Sequence, residues 1–152
     1  MNLATYRSLA EHPNVVAVKE ASGDLDLLER LSSECEGRLT VYTGNDTQIL
    51  SSMKLGVKGV ISVYSNLYPE RVVELCRLFT SGKVRLAEER MRGLLPRMNA
   101  LFWEVNPIPV KYLASRMEFC APEYRLPLCP PDEGTCERLD AMFGEEFCGG
   151  TS

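Results

Sequence analysis

Lys19 follows the run Val15-Val16-Ala17-Val18 and precedes Glu20-Ala21-Ser22-Gly23. A short, continuous, β-branched apolar run that stops at a Ser-Gly turn predicts a strand buried on both faces. Lys19 then stands at the C-terminal end of that strand, where parallel α/β architectures build their sites. Partial desolvation at such a position favours the neutral amine over the ammonium. A free amine condenses with a ketone, and the iminium that forms is an electron sink. The same residue also admits a plainer role, as a strand-end lysine paired with Glu20 or holding its head in solvent.

Other polar residues border the same end of the predicted sheet. Thr43-Gly44-Asn45-Asp46 closes a second strand-like segment, and Ile61-Ser62-Val63 lies on a third. Gly44 lets a ligand approach the backbone closely, whereas Asn45 and Asp46 read as turn and cap residues. Tyr6, Tyr42, Tyr64 and Tyr68 are proton donors by residue type, but no spacing selects one of them. Glu104 is either a site residue or helix-end chemistry, and Glu145-Glu146 reads as a solvated face. No P-loop, dinucleotide fingerprint, nucleophile elbow or HExxH occurs. The six cysteines form no CxxC pair and His12 is the single histidine. No metal and no cofactor are therefore expected, and the thiols read as reduced.

Helices and strands alternate over the first two thirds of the chain. Thr5–Glu11 predicts a helix ended before Pro13. Asp24 should cap a helix reaching about Cys35, with Leu25, Leu28 and Leu31 on one face, and Gly37 should end it. Leu39–Tyr42 predicts the second strand. Asp46 should cap a helix with Ile49, Leu50 and Met53 inward and Gly56 as its stop. Gly59–Val63 predicts the third strand. Helices are then expected over 69–81, over 84–102 with an interruption or kink at Pro96, and from Asn106-Pro107 onward. The four prolines within 122–131 mark an extended segment, before a last helix over 131–143 and a frayed tail from Cys148 to Ser152.

Strands separated by single helices imply crossover connections and a parallel sheet. The expected fold class is α/β, a partial (β/α)8 (TIM) barrel, with βα units over 1–82 and a helical extension over 83–152. A full barrel takes about 250 residues, and this chain has 152. Three parallel strands cannot cover their own edges. The composition, 45% hydrophobic and 25% charged with a net charge of -4, is that of a globular domain. No basic run points to nucleic acid or an anionic membrane. No stretch approaches a membrane span or a signal peptide, so a cytoplasmic protein is expected.

The run Val16-Ala17-Val18-Lys19-Glu20-Ala21-Ser22-Gly23-Asp24 resembles the Schiff-base lysine motif of the dihydrodipicolinate synthase family. Tyr42-Thr43-Gly44-Asn45-Asp46, the segment from Gly56 to Val63, and Asn106-Pro107-Ile108-Pro109-Val110-Lys111 follow in the family's order and at about its spacing. Leu126-Pro127-Leu128 is similar to the family's segment ahead of the last helix. The resemblance covers nearly the whole chain. It implies the last three βα units of a (β/α)8 barrel plus C-terminal helices, in a family that usually assembles as a tetramer of tight dimers. It also implies condensation of pyruvate with aspartate semialdehyde to 4-hydroxy-tetrahydrodipicolinate, on the diaminopimelate and lysine pathway. Lys19 would form the imine, Ile61 matches a position whose backbone borders pyruvate, and Gly44 matches a site-lining glycine of related branches.

The departures from the family are as specific. The family's first five strands are missing from this sequence, and with them the Gly-Thr-Thr segment for the pyruvate carboxylate, the proton-relaying tyrosine and the lysine-feedback site. Met1-Asn2-Leu3 resembles an internal family segment, so Met1 reads as an internal methionine of a truncated, split or mis-started gene. The expected partners are pyruvate, a small aldehyde, and either further copies or a separate chain supplying the missing barrel half. Two other readings stay open. One is a different acceptor, as in N-acetylneuraminate lyase or a 2-keto-3-deoxy-sugar-acid aldolase. The other is a non-enzyme, an inactive half-barrel remnant or an assembly partner.

Overall fold

A computed structural model describes residues 1–147; the tail expected from Cys148 onward lies outside the described residues. The chain divides into two compact units, one of residues 1–62 and 73–91, the other of residues 63–72 and 92–152.

The first unit opens with α1 (Leu3–Ala10), two residues earlier than its pattern predicts, because the Asn2 side chain accepts the Thr5 N–H at 2.9 Å and caps the helix there. Strand β1 is Ala17–Glu20 and pairs in parallel with β2, Thr40–Thr43. Between them α2 (Leu25–Glu34) starts at Asp24, whose carboxylate accepts the Leu27 N–H at 3.0 Å, as the sequence predicts. Leu3 and Tyr6 of α1, Leu28 and Leu31 of α2, and Cys35, Leu39, Val41 and Val57 make one buried cluster, with Val18 packed against it. After β2 a 3-10 turn, Asp46–Gln48, leads into α3 (Ile49–Lys54). Asp46 is itself buried rather than capping from outside, while Ile49, Leu50 and Met53 face inward. Gly56 follows α3 at φ +92°, a left-handed conformation that costs glycine little.

Two expectations about the sheet are corrected. β1 lies two residues later than the apolar run, so Lys19 is its penultimate residue, still at the C-terminal end. The run is also not buried on both faces, since Val16 is 68% exposed and Ala17 and Lys19 are exposed as well. The physical reason is that side chains alternate between the two faces of β1, and only the face of Val18 and Glu20 is turned to the core. Val18, Glu20, Val41 and Thr43 share the face turned to the core, while Ala17, Lys19, Thr40 and Tyr42 share the open one. The third strand is reduced to a single bridge between Thr43 and Val60. Its hydrogen bonds are few but parallel in sense: Thr43 N–H donates to the Gly59 carbonyl and Ile61 N–H to the Thr43 carbonyl, at 3.0 and 2.9 Å.

Helices α4 (Pro69–Thr80) and α5 (Val84–Ala100) follow, and α5 continues through Pro96 rather than being interrupted there. The second unit also holds α6 (Ile108–Arg116) and α7 (Glu133–Phe147). Its buried side chains include Tyr64, Met98, Leu101, Leu113, Leu139 and Phe143. α7 begins where Asp132 accepts the Thr135 N–H at 2.8 Å and its hydroxyl at 2.9 Å, just after Pro130 and Pro131. Among the described residues no helix is long and apolar enough to cross a membrane.

Candidate functional site

Lys19 and Tyr42 are register partners on the open face of the two strands. The Lys19 stem crosses to the end of β2 and lies on Gly44. A Cβ built on Gly44 would stand 2.6 Å from Lys19 Cε and 2.5 Å from the Ala21 Cβ. Carbon atoms settle at about 3.5–4.0 Å, so no side chain fits at Gly44 while the lysine holds this path. The glycine is required by close approach, with the lysine itself as the approaching group. Gly44 is buried, and its N–H donates to the Glu20 carbonyl at 2.7 Å, extending the ladder past the last strand residue.

The three expected site residues thus fall within one unit. Lys19 and Gly44 are in contact distance. Ile61 joins them through Thr43, the residue before Gly44, whose carbonyl accepts the Ile61 N–H; the Ile61 side chain is 48% exposed. The Tyr42 ring runs toward the third segment, where a Cβ on Gly59 would meet it at 3.5 Å. Asn45 donates to the Gln48 side chain at 3.0 Å, and Gln48 donates to the Gly23 carbonyl at 3.0 Å, tying the loops that follow the two strands to each other.

Glu20 does not pair with Lys19, because the two point to opposite faces of β1. Its carboxylate is 5% exposed and accepts hydrogen bonds from the Tyr6 hydroxyl and, at 2.6 Å, from the Ser22 N–H. Burial pushes the Glu20 carboxyl upward, but the hydrogen bonds from Tyr6 and Ser22 prevail and hold it below its ordinary value. Burial, the hydrogen bond to Glu20 and its negative charge push Tyr6 up to about 12. Of the four candidate tyrosines, Tyr6 therefore belongs to this buried tie. The sequence reading missed the tie, although the alternation from Val18 to Glu20 carried the signal.

Tyr64 and Tyr68 belong to the second unit, with ring centroids 5.1 Å apart. Glu104 serves a helix end, accepting the Asp132 N–H at 3.0 Å ahead of α7. Lys111 rests over the Tyr124 ring at 5.4 Å. Glu145 is exposed, whereas the other member of that acidic pair, Glu146, is not among the side chains described. No group of three His, Cys, Asp or Glu side chains suited to a metal occurs among the described residues.

Comparison with known proteins gives the lysine strand a context. The model of the dihydrodipicolinate synthetase family matches residues 1–145. The 4-hydroxy-tetrahydrodipicolinate synthase of Geobacter sulfurreducens is 40% identical over 141 residues, covering 93% of this chain and 49% of that protein. The dihydrodipicolinate synthase of Aquifex aeolicus superposes with a TM-score of 0.88 at 33% identity, over 93% of this chain and 48% of its own. The chloride-inhibited dihydrodipicolinate synthase of Acinetobacter baumannii, solved with pyruvate, superposes with a TM-score of 0.87 at 34% identity, over 96% of this chain and 50% of its own. The chain spans about half the length of the relatives it matches. The fold is accordingly that of part of a TIM barrel, with two parallel strands and a majority of helix among the described residues.

Proposed function

The chain belongs to the dihydrodipicolinate synthetase family, and on that basis we propose that it carries the imine-forming half of a pyruvate-dependent lyase, with Lys19 as the amine. The observation that supports this most directly is the path of Lys19, whose Cε rests on Gly44 at the open face of a parallel strand pair. Lys19 Nζ adds to the C2 ketone of pyruvate and water leaves, giving an iminium. Loss of a methyl proton then gives an enamine, whose carbon adds to the aldehyde of the second substrate; the amine of that substrate then attacks the iminium carbon, closing the ring and releasing Lys19 as the free amine. Aspartate semialdehyde is the acceptor in this reading, and the product is 4-hydroxy-tetrahydrodipicolinate in the cytoplasmic route to diaminopimelate and lysine. Gly44 shapes the floor under the lysine, and Ile61 borders the pyruvate from the third segment. Residues 1–82 supply the last three βα units and 83–152 the helical extension.

The open face has to be covered for this chemistry to be efficient. Lys19 is exposed, and a cover over this face would exclude water from the reaction. A carboxylate clamp and a proton relay from further strands would add acid–base assistance typically worth roughly 10²–10⁴-fold. In this reading those strands come from another polypeptide segment docking along β1, in an oligomer or in a two-chain assembly.

Borohydride reduction in the presence of pyruvate tests the proposal. The expected result is a reduced pyruvyl adduct mapped to Lys19 and absent from Lys19→Ala. A folded protein that yields no adduct, alone or with a chain carrying the other strands, would overturn it and favour an inactive assembly partner. Faster turnover with mannosamine derivatives than with aspartate semialdehyde would overturn the acceptor assignment alone.

A further inference from the structure

A carboxylate taken out of water is costly unless it is fully hydrogen-bonded, and Glu20 is buried with Tyr6, a residue only 2% exposed, as its side-chain donor. An apolar residue would fill the same face of β1 without that cost, as Val18 does two residues earlier. The position of Glu20 gives the charge a use. Its side chain binds α1 through Tyr6 and the following turn through the Ser22 N–H. Its carbonyl receives the N–H of Gly44, the residue on which Lys19 lies. Both supports of the Lys19 stem, the strand end and the glycine floor, are therefore referred to one residue. Thr43, its register partner on β2, is also fully buried, so the strand pair cannot slide here without exposing polar groups to the core.

We infer that Glu20, locked by the Tyr6 hydroxyl and the Ser22 N–H, is a positioning residue that fixes the end of β1 and so presents the Lys19 amine from the opposite face. The inference rests on the imine reading for its purpose, but the anchoring has a readout of its own. Without the lock, the last strand residue and the Ser22 turn rotate more freely, and Lys19 loses its rest on Gly44. Displacement of a reacting group by about 1 Å can cost on the order of 100-fold in rate. Partial loosening is expected to cost about tenfold.

The test uses Glu20→Gln and Tyr6→Phe, with Leu3→Ala as a control that loosens the same cluster without touching the lock. Two quantities are measured on each folded protein. One is the first-order rate of pyruvate trapping at Lys19 at saturating pyruvate. The other is the resonance of 13C-dimethylated Lys19, assigned by its loss in Lys19→Ala. The expected result is about a tenfold slower trapping and a displaced, sharpened Lys19 resonance in both lock variants. Leu3→Ala should lower the melting temperature yet leave both readouts in place. A Lys19 resonance unmoved by both lock variants would overturn the anchoring, and it would leave the imine reading standing if the wild type is trapped. No trapping in the wild type, alone or with a chain carrying the other strands, with the resonance still displaced in the variants, would overturn the imine reading and leave the anchoring intact.

Discussion

Replacing Gly44 by alanine tests the link between backbone and chemistry most directly. The new Cβ would lie 2.5 Å from the Ala21 Cβ, 2.6 Å from Lys19 Cε and 3.3 Å from the Ala21 Cα. Contacts between carbons relax at about 3.5–4.0 Å, so two of the three neighbours must retreat by roughly 1 Å. They are not equally free to do so. Lys19 Cε belongs to a long, exposed chain and can swing away, whereas Ala21 is fixed to the backbone that follows Glu20. Moving Ala21 stretches the 2.7 Å bond from Gly44 N–H to the Glu20 carbonyl. Overpacking of this kind costs about 1–3 kcal/mol, and for a domain of this size each kcal/mol lowers the melting temperature by roughly 2–4 °C. Gly44→Ala should therefore melt about 2–12 °C lower, and pyruvate trapping at Lys19 should slow by roughly one to two orders of magnitude. The double variant Ala21→Gly/Gly44→Ala removes the alanine clash but not the lysine clash. Its melting temperature should recover most of the loss while its trapping rate stays low. Melting and trapping rates both unchanged in Gly44→Ala would refute the close approach on which the site is built. Full recovery of trapping in the double variant would show that the lysine does not rest on Gly44.

Lys19→Ala should abolish trapping while shifting the melting temperature by no more than about 1 °C, because the side chain is exposed; circular dichroism melts check this. Tyr6 contributes through a raised folded value, so its stabilisation is present below its unfolded value of about 10 and fades as pH rises toward about 12. Unfolding free energies from urea titrations should fall over that interval at no more than about 1.4 kcal/mol per pH unit for this group, and Tyr6→Phe should flatten part of the fall, other raised groups such as Tyr112 and Tyr124 contributing to the rest. Glu20 works in the opposite sense, its contribution being present above the ordinary carboxyl range and lost as pH drops through its lowered folded value; Glu20→Gln should flatten the acid limb of the same curve. Leu31→Ala, at a fully buried position of the first unit's cluster, should cost about 2–5 kcal/mol, read from denaturant unfolding.

The sequence by itself determined the local elements, because their causes are local. Asp24 caps α2, Leu28 and Leu31 face one way by helical spacing, and Gly56 stops α3. It also determined which residue types could react, since a lysine on a short β-branched strand is legible without coordinates, and the motif order pointed to the family. Tertiary structure decided which face each strand residue takes and what it meets there. The apolar run reads as doubly buried, but side chains alternate along a strand and only one face of β1 packs on the core; hence Lys19 is exposed, and Val16, which precedes the strand, is exposed as well. The third predicted strand is reduced to one bridge, between Thr43 and Val60. Gly44 read as an approach for a ligand, whereas the structure puts Lys19 itself against it, a contact between residues 25 apart in sequence that no local pattern encodes. Glu20 read as a partner for Lys19 through adjacency, yet adjacency in a strand separates side chains to opposite faces. Its partner, Tyr6, came from a helix whose placement only the packing of α1 on the core could set.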